Sequence, residues 1–393
     1  MNIIMFDKRL QAYRKYQRFI KAILTMTGCW YMPAKSGKST YYWPVCVLLI
    51  MNVYMILAFH TAYVFRHNLV NMMKMIDAAI SLISAIIKVT NFMIHRRSLK
   101  NNHQTLSDFF EEELMQNEKI RKITFSSLRA TYTMAYAYII IIISLLLGYA
   151  APPIISMIRD LCHLRLTTNY NLPFARGYSY FWIVPDNWSY HLYFFYEMMQ
   201  AWLTAMTSGA VESVFGFHTY LFASTVRVMI FRLTNPLPTD KFSDVLKMCI
   251  KKHQKLLRCR DTLENVFGPI VLWHVVSNSI LLCSLIYETV NMEIRLANIT
   301  TFVIYSSLKL VQMFIYARYA MFLQMRDDFR KGIYFSEWLN SDLDRHVRTN
   351  VILMLMQKPM TIYAIFSPIE MIMFTNVINT TMSYFFLLRS TGG

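Results

Sequence analysis

Two sets of residues in this 393-residue chain have types and spacing that could do chemistry. The first is a scatter of ionisable groups inside otherwise apolar runs: Lys74, Asp77 and Lys88 in one, Glu197 and Glu212 in another, then Lys309 and Arg318, then Glu370. Charged groups in hydrocarbon are costly and usually face protein or a water-filled cavity, so they could serve a relay or a wet interior. The second is a polar stripe near the C-terminus. Asn376, Thr380 and Ser383 fall at i, i+4 and i+7 on one helical face, and Leu387 continues it at i+11. Such a stripe can pack against neighbouring helices or line a water path closed by a hydrophobic constriction. The residues alone leave both open.

Enzyme chemistry finds little support. Ser36-Gly37-Lys38-Ser39-Thr40 has the tail of a phosphate-binding loop, but the pattern needs a glycine where Met32 stands, and an apolar run follows instead of a βαβ unit. The chain holds no H-E-x-x-H, C-x-x-C, G-x-S-x-G or G-x-G-x-x-G, and its ten histidines are dispersed. We therefore expect no catalytic residues, no metal and no cofactor.

The elements that must position these groups are membrane helices. Hydrophobic residues make up 55% of the chain and charged ones 16%, against about 25% charged in soluble domains, and the mean hydropathy is +0.32. The apolar residues are blocked: 27 uncharged residues separate Lys38 from Arg66, 29 separate Arg129 from Arg159 and 23 separate Glu264 from Glu288. About 20 apolar residues cross a bilayer as a helix, which excludes a soluble enzyme and a disordered chain. Seven spans are expected, at 43–65, 72–94, 131–158, 190–217, 266–290, 297–322 and 361–388.

Lys and Arg set their orientation. The N-terminal segment and the connections after spans two, four and six hold 30 of them, and the alternate set holds six. By the positive-inside rule the N-terminus is cytoplasmic and the C-terminus extracellular, the reverse of a G-protein-coupled receptor. The net charge of +17 then belongs beside anionic membrane lipid rather than nucleic acid. All cytoplasmic connections are long. In 242–267 apolar residues keep helical spacing, with no breaker before Gly268-Pro269, so a helix should run from the cytosol into span five. Leu343, Val347, Val351 and Leu355 mark a second amphipathic helix. Several such helices must bury their apolar faces together, which implies a packed cytoplasmic layer that holds subunits together. Only Cys162 of the six cysteines lies outside, so no intrachain disulfide is expected. Asn187-Trp188-Ser189 is a glycosylation acceptor on the outer side, whereas Asn298-Ile299-Thr300 lies close to the bilayer.

Methionines and aromatics gather in the outer halves of spans two, four and six. Met72, Met75, Ile76 and Ala79, Tyr196 and Met199, and Phe302 and Tyr305, set around Ser144, Leu147 and Gly148 of span three, would suit a small apolar ligand. Core packing and interfacial aromatic belts account for the same residues one by one.

The C-terminal run Lys358-Pro359-Met360-Thr361, then Thr380-Thr381-Met382-Ser383-Tyr384-Phe385-Phe386-Leu387-Leu388-Arg389, resembles the closing signature of insect odorant receptors. So does His253-Gln254-Lys255-Leu256-Leu257 with Leu263-Glu264-Asn265-Val266-Phe267. The gustatory receptors' closing Thr-Tyr and Gln-Phe are not matched, and the loop between spans four and five is shorter than in the family's co-receptor. The resemblance implies an all-α seven-span bundle with a cytoplasmic helical anchor layer, acting as a ligand-tuning subunit. It would form an odorant-gated, non-selective cation channel, a tetramer with co-receptor subunits, in the plasma membrane of sensory dendrites. It divides the chain into a cytoplasmic segment at 1–42, a ligand-binding bundle of spans one to four at 43–217 and an anchor segment at 218–265. Spans five and six follow at 266–322, an anchor helix at 323–358 and a pore-lining span at 359–393. It puts Leu387 at the gate and Arg389 near the pore mouth, where its charge would reduce cation flux through a homomer. A secondary transporter using Asp77, Glu197, Lys309 and Arg318 is the alternative, and it would call for an inverted repeat, which is not evident.

Overall fold

The computed structural model describes residues 3–32, 41–67, 69–161, 188–236, 241–291, 296–321, 326–335, 345–356 and 361–391. It is all-α apart from one two-residue hairpin. The elements are α1 (Ile3–Met26), α2 (Tyr42–Val64), α3 (Leu69–Ile94), α4 (Arg96–Leu114), α5 (Glu118–Thr124), α6 (Leu128–Leu161) and α7 (Trp188–Thr234). Then come α8 (Phe242–Asn291), α9 (Leu296–Met321), α10 (Arg326–Tyr334), α11 (Arg345–Met356), β1 (Tyr363–Ala364), β2 (Ser367–Pro368) and α12 (Met371–Thr391). Among the described residues five helices, α2, α3, α6, α7 and α8, are long and apolar enough to cross a bilayer. The expected spans six and seven correspond to α9 and α12, of 26 and 21 residues.

α7 is the central pillar. Every residue from Gly209 to Val226 is buried, because α1, α3, α4, α5, α6, α8, α9 and α10 all pack against it. A helix wrapped on all sides needs no polar face. Where it crosses α9, a Cβ on Gly216 would lie 2.3 Å from the Tyr319 ring, so only glycine fits there. α7 and α8 run unbroken for 47 and 50 residues, as the lack of breakers in 242–267 implies for α8. The divisions at 217/218 and 265/266 therefore fall inside continuous helices. α8 continues through Pro269, whose missing N–H leaves one backbone bond unmade.

Below the spans, α1, α4, α5, α10 and the near ends of α7 and α8 form one packed layer. Tyr13 stacks on Phe110 at 4.4 Å between ring centroids, and Tyr16 meets Phe217 edge-on at 5.8 Å. Buried hydroxyls find acceptors: Tyr16 donates to the Ser213 carbonyl and Tyr220 to that of Thr124. Tyr31 Oη lies 3.1 Å from His103 Nδ1, and burial pushes the His103 imidazole down to about 4, so it stays neutral.

The span expected at 361–388 becomes helical only at Met371. Before it, Tyr363 pairs with Pro368 and Ala364 with Ser367 in an antiparallel hairpin, and Ile365 turns it at a φ of 62°. Pro368 is the reason, since the residue before a proline is steered away from helical geometry. The hairpin seats on α8, where a Cβ on Gly268 would meet the Tyr363 carbonyl at 2.9 Å and Glu264 accepts from the Tyr363 N–H. Of the acceptor sequences, Asn187 lies outside the described residues, as does the Asn298 side chain on α9. Cys29, Cys46, Cys249 and Cys259 are free thiols, while Cys162 lies outside the described residues.

Candidate functional site: the outer apolar cluster and the last helix

α12 packs against α8 and α9 and has two unlike faces. Val377 and Thr381 point into the chain, and the Thr381 hydroxyl is satisfied by the Val377 carbonyl. Asn376, Asn379, Thr380 and Ser383 all lie on the exposed side, with the Ser383 hydroxyl bonded back to the Asn379 carbonyl. The polar stripe therefore does not glue α12 to its own chain. Leu387 and Arg389 fall on α12, with side chains outside the described residues.

A second, smaller apolar cluster lies between α2, α3 and the start of α7, apart from the main core. Tyr54, Ala58, Ala62, Met75, Ala79 and Leu82 are its buried members, and Met72, Ile76, Tyr193 and Tyr196 pack against it. Tyr196 donates to the Ile50 carbonyl at 3.3 Å, and its ring lies 6.0 Å from Tyr54 and 6.5 Å from Tyr193. Five expected ligand residues are thus brought together: Met72, Met75, Ile76, Ala79 and Tyr196. Met199, further along α7, packs on the main core instead.

Between this cluster and the layer of α1, α4, α5 and α10 sits a buried ion pair. Lys88 Nζ lies 2.9 Å from Glu212 Oε1 and 2.9 Å from Ser208 Oγ. Gln312 donates to the same carboxylate oxygen at 2.7 Å, and His274 Nε2 lies 3.8 Å from it. Lys88 on α3, Glu212 on α7, His274 on α8 and Gln312 on α9 so tie four helices at one point. From Ala79 to Lys88 is nine residues of helix, about 13 Å at 1.5 Å per residue, so the tie lies beneath the apolar cluster. Asp77, Glu197 and Lys309 are buried as well.

A family model described as 7tm Odorant receptor matches residues 68–382. The chain belongs to the odorant receptor family. It is 28% identical to Odorant receptor 13a of Drosophila melanogaster over 159 residues, 37% of this chain and 38% of that one. It is 22% identical to Putative odorant receptor 85d of the same fly over 227 residues, 55% of each. The matched stretches thus span between about a third and about half the length of these curated relatives. The fold is similar to the olfactory receptor OR5 of Machilis hrabei, with a TM-score of 0.72 at 14% identity over 96% of this chain and 98% of that one. Against OR5 in complex with eugenol the TM-score is 0.74 at 15% identity, covering 98% and 99%. This family consists of receptors, in keeping with the expectation that the chain is no enzyme.

In this odorant receptor the remaining expected site residues are dispersed. Ser144, Leu147 and Gly148 lie on the exposed side of α6, and nothing stands within 4 Å of where a Gly148 Cβ would be. Phe302 and Tyr305 lie on α9, with side chains outside the described residues. Sequence reasoning missed Tyr54, Ala58 and Ala62 of α2, although their spacing of four marks one helical face. It also flagged Lys88, Glu212 and their neighbours singly, without pairing them.

Proposed function

We propose that the chain is a ligand-tuning subunit of an odorant-gated cation channel, oriented with its N-terminus in the cytosol and its C-terminus outside, in the plasma membrane of a sensory dendrite. A small apolar odorant fills the outer bundle beside Met72, Met75, Ile76, Ala79 and Tyr196. Four subunits, some of them co-receptor, surround an aqueous axis lined by Asn376, Thr380 and Ser383. Leu387 closes that axis and Arg389 stands at its mouth.

The carrying observation is the exposed polar face of α12. Amides and hydroxyls turned away from their own bundle inside a membrane need water or a partner subunit. A row ending in leucine suits a hydrophobic gate. The odorant opens it only by binding the open state better than the closed one; eugenol in the OR5 complex supports a ligand of this class for the fold. The Lys88–Glu212 tie lies beneath the apolar cluster and joins α3 and α7 to α8 and α9, against which α12 packs, so it transmits helix displacement rather than ions.

The test is cysteine accessibility. With co-receptor co-expressed, Thr380→Cys and Ser383→Cys should let a charged thiol reagent block odorant-evoked current, faster when odorant is present. Leu387→Thr should raise ligand-independent current. Unmodified current in both cysteine variants, with normal surface expression, would remove α12 from the conduction path.

A further inference from the structure

α1 has a feature that channel function does not use. Its outward side carries Lys8, Arg14, Lys15, Arg18 and Lys21, all exposed, and no acidic residue occurs between Lys8 and Trp43. None of the five forms an ion pair among the described residues; the Arg18 guanidinium reaches only the Arg14 carbonyl, and Lys21 Nζ rests 5.5 Å over the Trp30 ring. Towards the end of α1 this cationic face gives way to Ala22 and Met26, which with Arg18, Lys21, Thr25 and Trp43 line an open recess of about 610 Å³. The recess is apolar along its floor and cationic along one rim. Trp43 fixes its far wall, its indole N–H donating to the Met26 carbonyl at 2.8 Å. Trp43 stands at the start of α2, whose opposite face exposes Val45, Leu49, Val53 and Ile56.

We propose that this recess binds one anionic phospholipid of the inner leaflet. Arg18 and Lys21 hold the phosphate, and the Ala22–Met26–Trp43 floor takes the glycerol and first methylenes. The acyl chains continue into the bilayer beside the start of α2. The proposal rests on the cytoplasmic N-terminus proposed above. Charge complementarity chooses the occupant: among the described residues Arg18 and Lys21 meet no carboxylate at the recess, which suits an anion, and a tryptophan at the start of a span marks headgroup depth. The apolar floor distinguishes a lipid from a free phosphate, which would leave Ala22, Met26 and Trp43 uncovered. Because Tyr13 and Tyr16 seat α1 on Phe217 of α7, a lipid held there braces the central helix.

Native mass spectrometry of the purified full-length receptor tests this, using phosphatidylserine and phosphatidylcholine with the same acyl chains at equal concentration. Phosphatidylserine adducts should exceed phosphatidylcholine adducts by about fivefold, and the R18Q/K21Q double variant should bring the ratio to parity. The charge-matched K251Q/R258Q variant, altered at exposed positions of α8, should keep the wild-type ratio. Trp43→Ala should lower retention of phosphatidylserine without touching either cation. Parity in the wild type, or equal loss in both double variants, overturns the site. Displacement of phosphatidylserine by an equal concentration of glycerophosphoserine overturns the lipid as occupant. Since the reading is lipid retention and not current, its failure leaves the channel proposal standing, and a failure of gating leaves this one standing.

Discussion

α7 and α12 are both long, largely apolar helices, yet they end in opposite circumstances. α7 is buried without interruption from Gly209 to Val226. α12 buries Val377 and Thr381 and exposes Thr375, Asn376, Asn379, Thr380 and Ser383. One helix has found every partner within its own chain and the other has not. The polar residues follow the same division. On α7, Thr207, Ser213 and Thr219 bond carbonyls of the preceding turn inside the bundle, and Glu212 makes its cross-helix pair with Lys88. Thr375 and Ser383 of α12 bond back in the same way, but they face outward with Asn376, Asn379 and Thr380, so any further work left to them is with water or with other subunits.

The contrast breaks most sharply at Glu212. Glu212→Leu leaves Lys88 buried with its carboxylate gone, which should cost about 3–5 kcal/mol and strip the receptor from the cell surface. The Lys88→Met/Glu212→Leu double variant should recover much of that loss in a thermal unfolding assay in detergent. If the single and double variants unfold alike, the four-helix tie does not hold α7 in place.

Glu113 of α4 gives a smaller effect with a pH signature. It is buried against α7 and α8, and burial pushes its carboxyl up to about 7, against the pull of Lys252, Thr225 and Arg232 and with a push from Glu112. A carboxyl whose folded pKa is raised holds its proton more tightly when folded. Wild-type stability therefore falls as pH rises from about 4.5 to about 7 and stays lowered above that. Glu113→Gln should be more stable by up to about 3 kcal/mol near pH 8 and show no advantage below about pH 4.5. An advantage that does not change with pH would assign the effect to packing instead.

How much of this was legible before the coordinates depended on whether the signal was local. Blocks of uncharged residues marked the spans, and an unbroken apolar rhythm marked α8 through its first half. The start of α12 was misplaced by ten residues because hydropathy continues across 361–370, while the chain turns at Ile365-Phe366 and pairs Ser367-Pro368 back on Tyr363-Ala364. Pairing across helices was not legible at all. Lys88 and Glu212 are 124 positions apart, and nothing in either run says that they meet. The stripe on α12 could be seen but not assigned, since spacing shows which residues share a face and not what that face meets. Ser144 and Gly148 show the same limit: small residues in an apolar run suggest a lining, and the structure puts them on the exposed side of α6.

In the outer cluster, the Tyr196 hydroxyl and ring make separable contributions. Tyr196→Phe loses one partly buried hydrogen bond, about 1 kcal/mol, and keeps the rings of Tyr54 and Tyr193 in contact. Tyr196→Ala loses both. Odorant dose–response curves should move about tenfold to higher concentration in the alanine variant and by much less in the phenylalanine one, with maximal current unchanged. Equal displacement by both would put the hydroxyl, rather than the ring, against the ligand.

The smallest change in stability should come from α12, and there the difference from α7 is most informative. Thr380→Val and Ser383→Ala alter exposed side chains, so the unfolding midpoint of the isolated subunit should stay within about 0.5 kcal/mol of wild type. If the face lines an aqueous axis, the same substitutions remove polar groups that hydrate passing ions, and unitary conductance in the assembled channel should fall by about half or more. If the face instead packs on a partner helix, conductance should hold and the assembly should dissociate at lower detergent concentration. A helix whose substitutions leave its own subunit unmoved and change only the assembled channel is one whose missing partner is water. That outcome would explain why α12 remains polar on the side that its own bundle does not cover.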